Sequence, residues 1–393
     1  MISSFLDSED ALNKKMEKTN NPLPGLYIHI PFCRSKCPYC SFFSVTCLTE
    51  KPGFLTALSC EMDMYRDAFN RFDTIYIGGG TPSVLTVKEV EELLTRVRQC
   101  FTITEDAEIT LEVNPSDVNL NYLKSLNLMG INRINIGIQS LDEIILKFLG
   151  RRHSAVQGVS AIEAAREAGF RNIGIDLVYA IPGQDMISWM NTVEIIISYD
   201  VEHLSCYQLS LEPRTALKSR HDAGEFDIPG EEMQVEFFLN TSLRLESAGY
   251  IHYEVSNFAK SMALASRHNQ KYWDQTPFLG LGPASHSFQE NRRWWNHASI
   301  ERYVQDIEES RLPVELSEML SPEQLCLEAL FLGLRTKKGI HMDDFSRKYT
   351  FYDWAEKRDI LTKLEEDGFV EIRDGYIRPS RKGLAVADSL ALI

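Results

Sequence analysis

Between residues 26 and about 215 the chain alternates short β-forming runs with amphipathic runs of helical period, six times over. The β-forming runs are Leu-Tyr-Ile-His-Ile at 26–30 and further stretches at 74–78, 108–113, 133–138, 172–179 and 203–209. The stretches at 87–101 and 155–169 space their apolar residues as helices do, and the second stops at Gly169. Strands separated by helices pair in parallel, through right-handed crossovers. Six units are fewer than the eight that close a full barrel, so an α/β fold with an open or partial (β/α)6 barrel is predicted. In such folds the chemistry sits beyond the C-terminal ends of the strands. Three unusual loops fall there: PFCRSKCPYC after the first strand, GGGTPS after the second and EVNPSD after the third.

A chain of 393 residues, 44% of them hydrophobic, is large enough for more than one domain. We expect a polar lead-in at 1–25, the barrel at 26–215, a less regular Trp-, Tyr- and His-rich extension at 216–320, and a C-terminal module at 321–393. That module opens with Ser321 as a helix cap and Pro322 in the first turn, and carries a hairpin pattern at 368–380. It reads as mostly helical and winged-helix-like, with balanced charge and a structural or lid role. The net charge of −15 argues against a nucleic-acid partner, which would need a basic footprint. No apolar run reaches the roughly 18 residues of a membrane span. The lead-in carries Asp7, Glu9, Asp10 and Glu17 and lacks a signal-peptide core, so a cytoplasmic address is expected.

Five of the eight cysteines (Cys47, Cys60, Cys100, Cys206 and Cys326) stand singly and read as small buried hydrophobes. Cys33, Cys37 and Cys40 share one loop. A disulfide would leave one of them over, structural zinc wants four ligands, and a redox dithiol would use only Cys37 and Cys40. A [4Fe–4S] cluster held by three thiolates keeps one iron open for a substrate. The spacing Cys-x3-Cys-x2-Cys, followed by Gly-Gly-Gly-Thr-Pro, resembles the signature of the radical SAM superfamily. The resemblance implies three cluster ligands, S-adenosylmethionine (SAM) chelated at the open iron, and one-electron cleavage to a 5′-deoxyadenosyl radical. Glycines at 78–80 would let the backbone approach the methionine end of SAM.

The string YIHIPFCRSKCPYCSFFS, with GGGTPS, LEVNP, RINIGIQS, LGRRHS and IDLVYAIPGQ, resembles the HemN/HemW group, the coproporphyrinogen oxidase-like radical SAM proteins. The likeness runs from about residue 26 to 385. It implies SAM contacts from Tyr27, Tyr39, Gly79, Gly80, Thr81, Glu112, Gln139, Arg151 and Asp176. Arg151 suits a carboxylate; the acidic groups suit an ammonium, a sulfonium or a ribose hydroxyl. The oxidases of this group carry a fourth cysteine two residues after the third, where this chain has Phe42, and a longer N-terminal extension than the 26 residues before Tyr27. Both departures point to the heme-chaperone branch. Its members bind heme as cargo and deliver it to an acceptor protein, here unknown, with an electron donor such as a flavodoxin or ferredoxin serving the cluster. The alternative is an enzyme acting on a tetrapyrrole, such as the oxygen-independent oxidase. The segment RHNQKYW fits the group's His-Asn-x-x-Tyr-Trp motif and makes His268 the candidate heme ligand, with His286 and His29 as weaker ones.

Overall fold

The computed structural model describes residues 22–390; residues 1–21, most of the expected lead-in, and 391–393 lie outside the described residues. Six parallel strands stand side by side in chain order: β1 (Gly25–Ile30), β2 (Arg71–Gly79), β3 (Thr102–Val113), β4 (Arg133–Gln139), β5 (Ile173–Tyr179) and β6 (His203–Gln208). Helices Lys51–Tyr65, Val87–Cys100, Leu120–Leu128, Ala155–Glu167 and Met186–Ser198 make the crossovers. Capping boxes start two of them, Thr86 with Glu89 and Ser154 with Gln157, so side chains satisfy backbone groups that a helix end leaves open. The result is a partial (β/α)6 barrel.

The two faces of the sheet differ in chemistry. On the helix side lie Leu26, Ile28, Ile75, Ile77, Ile109, Leu111, Ile134, Ile136, Ile175 and Leu177, all buried. Each such side chain contributes about 1.5–3 kcal/mol on removal from water. The alternate positions face the barrel interior. Cross-strand register sets Tyr27 beside Tyr76, Tyr76 beside Thr110, Glu112 beside Asn135, Gly137 beside Asp176, and Asp176 beside Ser205. The interior is therefore a polar file, built by period-two alternation on strands that read as apolar overall.

The extension is more regular than its sequence suggests. It supplies six further strands and widens the sheet to twelve. Strand β8 (Asn257–Ala259) adds antiparallel to β6 and β7 (Ile251–Glu254) antiparallel to β8, while β9 (Phe278–Leu281) adds parallel to β1 and leads to β10 (His286–Gln289), β11 (Arg292–Asn296) and β12 (Val314–Met319). Strands of three to six residues are too short to show a period in the sequence; they form because a paired edge already waits for them. Glu61, fully buried on the first crossover helix, fastens this flank. It accepts from Tyr303 Oη at 2.6 Å, Gly282 N at 2.8 Å and Asn296 Nδ2 at 2.6 Å.

The C-terminal module has helices Pro322–Gly333, Met342–Lys348 and Arg358–Glu366, and a small sheet of β13 (Ile340–His341), β14 (Val370–Arg373) and β15 (Tyr376–Pro379). Leu330, Leu334, Phe345, Leu361, Val370 and Ile377 form its own winged-helix-like core. Its backbone meets β7 through Val255 N to Arg335 O at 2.9 Å and Lys337 N to Tyr253 O at 3.0 Å. Tyr349 Oη donates to Gln275, next to the short helix Arg267–Trp273 that closes the N-terminal end of the barrel. The module braces the floor, so a lid over the strand C-termini is not its position.

Candidate functional site

The loop after β1 folds back on its own start. Cys33 N donates to Val45 O at 2.9 Å and Val45 N to Pro31 O at 2.8 Å, which turns the intervening segment into a closed lobe. Within it Cys33, Cys37 and Cys40 line one cavity of about 60 Å³, together with Tyr39, Gly80, Thr81, Asn114 and Arg151. Cys33 Sγ lies 3.3 Å from Thr81 Oγ1, and Arg151 Nη1 lies 3.6 Å from Cys37 Sγ. All three thiols are free. Burial pushes the Cys40 thiol up, a penalty on the bare thiolate that a bound iron offsets.

The second loop is laced to the first. Gly80 N donates to Ile30 O at 2.9 Å and Thr81 N to Phe32 O at 2.8 Å. A Cβ on Gly80 would come within 2.8 Å of both carbonyl oxygens, so no larger residue fits without moving the cysteine loop. Gly79 has φ +108°, a conformation that side chains resist.

The thiol cavity shares Tyr39, Cys40, Gly80, Thr81 and Arg151 with a larger pocket of about 500 Å³ at the C-terminal end of the polar file. Its walls are Tyr39, Gly79, Gly80, Thr81, Glu112, Asn135, Gln139, Arg151 and Asp176, and its rim includes Phe42, Tyr207 and Leu209. Tyr76 Oη donates to Glu112 Oε1 at 2.7 Å, and Asn135 Nδ2 donates to Asp176 Oδ2 at 2.6 Å. Burial, with Asp176 as a second cause, pushes the Glu112 carboxyl up to about 7; burial also raises Asp176. Two half-buried carboxyls facing one pocket are poised to receive a cation. Arg151 Nη2 donates to Gly137 O at 2.6 Å, while its Nε is buried without a partner among the described residues. Gln139 sits at φ 68°, a strained backbone for a residue with a side chain, at the end of β4 on the pocket wall.

Eight of the nine residues expected to contact SAM line this pocket; Tyr27 does not. It lies one layer deeper, where Tyr27 Oη is 3.0 Å from His29 Nδ1, and His29 Nε2 donates to Phe43 O at 2.8 Å. Tyr27 thus supports the cysteine lobe from beneath. His29, buried and bonded at both nitrogens, belongs to the same support.

His268 is also placed differently from a cargo ligand. It lies on the floor helix, 1% exposed, with Nδ1 2.9 Å from Thr74 Oγ1 and Nε2 2.9 Å from Tyr272 Oη. Burial, with Lys271 and Arg133 adding to it, lowers its pKa to about 3, so the ring is neutral and fully engaged. It stacks under Tyr76 as a pillar of the polar file, 5.3 Å between ring centroids. His286 is exposed on β10, stacked on Trp295 at 5.5 Å. Asn135 and Tyr76 escaped the sequence reading; their signal was a polar residue at alternate positions of an otherwise aliphatic strand.

The comparisons agree with this geometry. A model of the radical SAM superfamily matches residues 27–196, and a model of the HemN C-terminal domain matches residues 320–386. The heme chaperone HemW of Lactococcus lactis is 35% identical over 325 residues, covering 82% of this chain and 84% of its own. The heme chaperone HemW of Bacillus subtilis is 32% identical over 365 residues, 92% of this chain and 96% of its own. The solved structure of coproporphyrinogen III oxidase, HemN, from Escherichia coli matches 98% of this chain and 92% of its own with a TM-score of 0.83; at 22% identity this is a likeness of fold. With three free thiols at one cavity, a polar pocket beside them and relatives that span nearly the whole chain, the protein belongs to the HemW family of the radical SAM superfamily.

Proposed function

We propose that this protein binds heme and passes it to an acceptor protein in the cytoplasm, using a [4Fe–4S] cluster and exchangeable SAM at the barrel mouth. The observation that carries the cofactor half is the wall that the thiol cavity and the 500 Å³ pocket share, built of Tyr39, Cys40, Gly80, Thr81, Asn114 and Arg151. Cys33, Cys37 and Cys40 would hold three irons of the cluster. When bound, the cluster supplies a low-potential electron and one iron with an open position. The residues around it bind and orient. Arg151 offers a guanidinium to a carboxylate, Glu112 and Asp176 offer negative charge to an ammonium or sulfonium, and Gly79 and Gly80 leave the backbone bare for close approach. Tyr39 supplies an aromatic face for an adenine.

The cargo half rests on the heme chaperones to which the chain is similar and on Phe42, where the oxidases carry a cysteine. Phe42 is 66% exposed at the pocket rim, an apolar surface rather than a fourth ligand. Of the three histidines considered for heme iron, His29 and His268 would each have to surrender a buried hydrogen bond. His286 is the ring that an iron reaches without dismantling the barrel.

The test is an anaerobic titration of cluster-loaded protein with heme. Saturation near one heme per chain, with the porphyrin unchanged after SAM and reductant are added, is the expected result. Decarboxylation of coproporphyrinogen III under the same conditions would favour the enzyme reading and overturn this one. Cys37→Ala should abolish the visible absorption of the cluster and retain heme binding.

A further inference from the structure

Three segments remote in sequence share an unusual charge. Residues 33–40, 147–153 and 214–220 carry eight Lys and Arg and no Asp or Glu, in a chain of net charge −15. They converge on Pro38, inside the cysteine loop. Leu217 N donates to Pro38 O at 2.8 Å, and a Cβ on Gly150 would come within 2.7 Å of Pro38 Cδ. Lys36 and Arg152 line the thiol cavity itself. Apart from Arg151, which also lines the SAM pocket, the basic residues therefore form a collar around the cysteine loop.

The carboxylates near the collar do not cancel it. Asp117, its side chain only 2% exposed, is shared between Arg34 at 3.0 Å and Arg152 at 2.7 Å. Lys218 pairs with Asp222, and Arg220 with Glu225. Glu143 accepts from Ala155 N and Glu212 from Ser210, both at the margin. Lys36, Lys147 and Arg214 are exposed, and no carboxylate pairs with them among the described residues.

We propose that this collar is the docking surface for an acidic one-electron carrier protein that reduces the cluster. The proposal rests on the cluster reading above. The rest of this acidic chain repels an acidic partner, and the collar attracts it, so the field itself orients the encounter. Lys36 and Arg152 of the collar line the thiol cavity but not the larger pocket, so a carrier docked there lies close to the thiols and leaves the SAM pocket free. The step is a single electron transfer: the carrier's reduced centre loses one electron, the cluster gains one, and no bond or proton moves.

The test uses cluster-loaded protein, with loading checked by visible absorbance, and reduced flavodoxin as the probe. Anaerobic bleaching of the cluster by flavodoxin should slow steeply as salt is raised to about 0.3 M. The combined variant Lys147→Glu, Arg214→Glu should lower that rate about tenfold or more. Photoreduced deazaflavin, an uncharged small reductant, should bleach wild type and variant alike. Flavodoxin binding to the cluster-free chain should weaken in the same variant, because the surface exists before the cluster does. Lys147→Gln with Arg214→Gln, which removes the charge without reversing it, gives a second variant if the Glu substitutions disturb loading. Unchanged flavodoxin rates and binding in loaded variants would overturn the docking surface alone. A wild-type chain that takes up no cluster would instead overturn the reading beneath it.

Discussion

The guanidinium of Arg151 lies 3.6 Å from the sulfur of Cys37, 114 residues earlier in the chain, while its other terminal nitrogen holds the carbonyl of Gly137. One side chain thus ties the cysteine lobe to the end of the fourth strand and still presents a buried Nε with no partner. Arg151→Ala should keep the cluster absorbance and weaken SAM binding about tenfold or more, the loss expected for a charge-assisted hydrogen bond. Arg151→Lys should recover only part, since lysine cannot reach three points with one rigid plane. SAM titration of the loaded variants checks this; wild-type affinity in Arg151→Ala would remove the residue from the site.

Glu112 should make SAM binding pH-dependent. Its carboxyl is raised to about 7 by burial and by Asp176, and a cationic ligand favours the ionised form. Below that value the carboxyl must release a proton before it can pair with the cation. SAM affinity should therefore rise from about pH 6 to about pH 8, with proton release on binding. Calorimetry in two buffers of different ionisation heat measures the released proton. Glu112→Gln should flatten the profile.

Mutating the two histidines separates pillar from ligand. His268→Ala should lower stability by about 2 kcal/mol or more, because it leaves Thr74 and Tyr272 without their buried partner. His286→Ala should leave stability within about 0.5 kcal/mol and reduce heme affinity. Denaturant unfolding and heme titration, done on both, read the two effects independently. The opposite pattern would return the heme iron to the floor helix.

Glu61 should set part of the stability profile. Its carboxyl is raised to about 7 by burial, while in the unfolded chain it titrates near the ordinary carboxylate value. The folded state holds the proton more tightly, so this contribution is complete below about pH 4.5 and is lost as pH rises through about 7. Glu61→Ala should cost about 3 kcal/mol or more, since Tyr303 and Gly282 N lose their acceptor and Asn296 loses one of its three. Thermal unfolding across pH, wild type against variant, measures both.

Much of this protein was determined by the sequence alone. Alternating strand and helix runs imposed a parallel, incomplete barrel, because parallel strands require crossovers and six units are fewer than the eight of a full barrel. Three cysteines at that spacing, directly after the first strand, could only meet at the barrel mouth. Most of the pocket wall followed, since it hangs on strand ends. The tertiary structure decided what depends on register and on remote neighbours. Tyr27 and His268 have the chemistry of site residues, yet strand register sets one, half-buried, against His29 beneath the cysteine lobe and the floor helix buries the other under Tyr76. The six flanking strands were hidden because each is too short to carry a period and exists only against an edge already formed. The basic collar was hidden for the same reason: its three segments are unremarkable apart, and only the fold brings them to one proline.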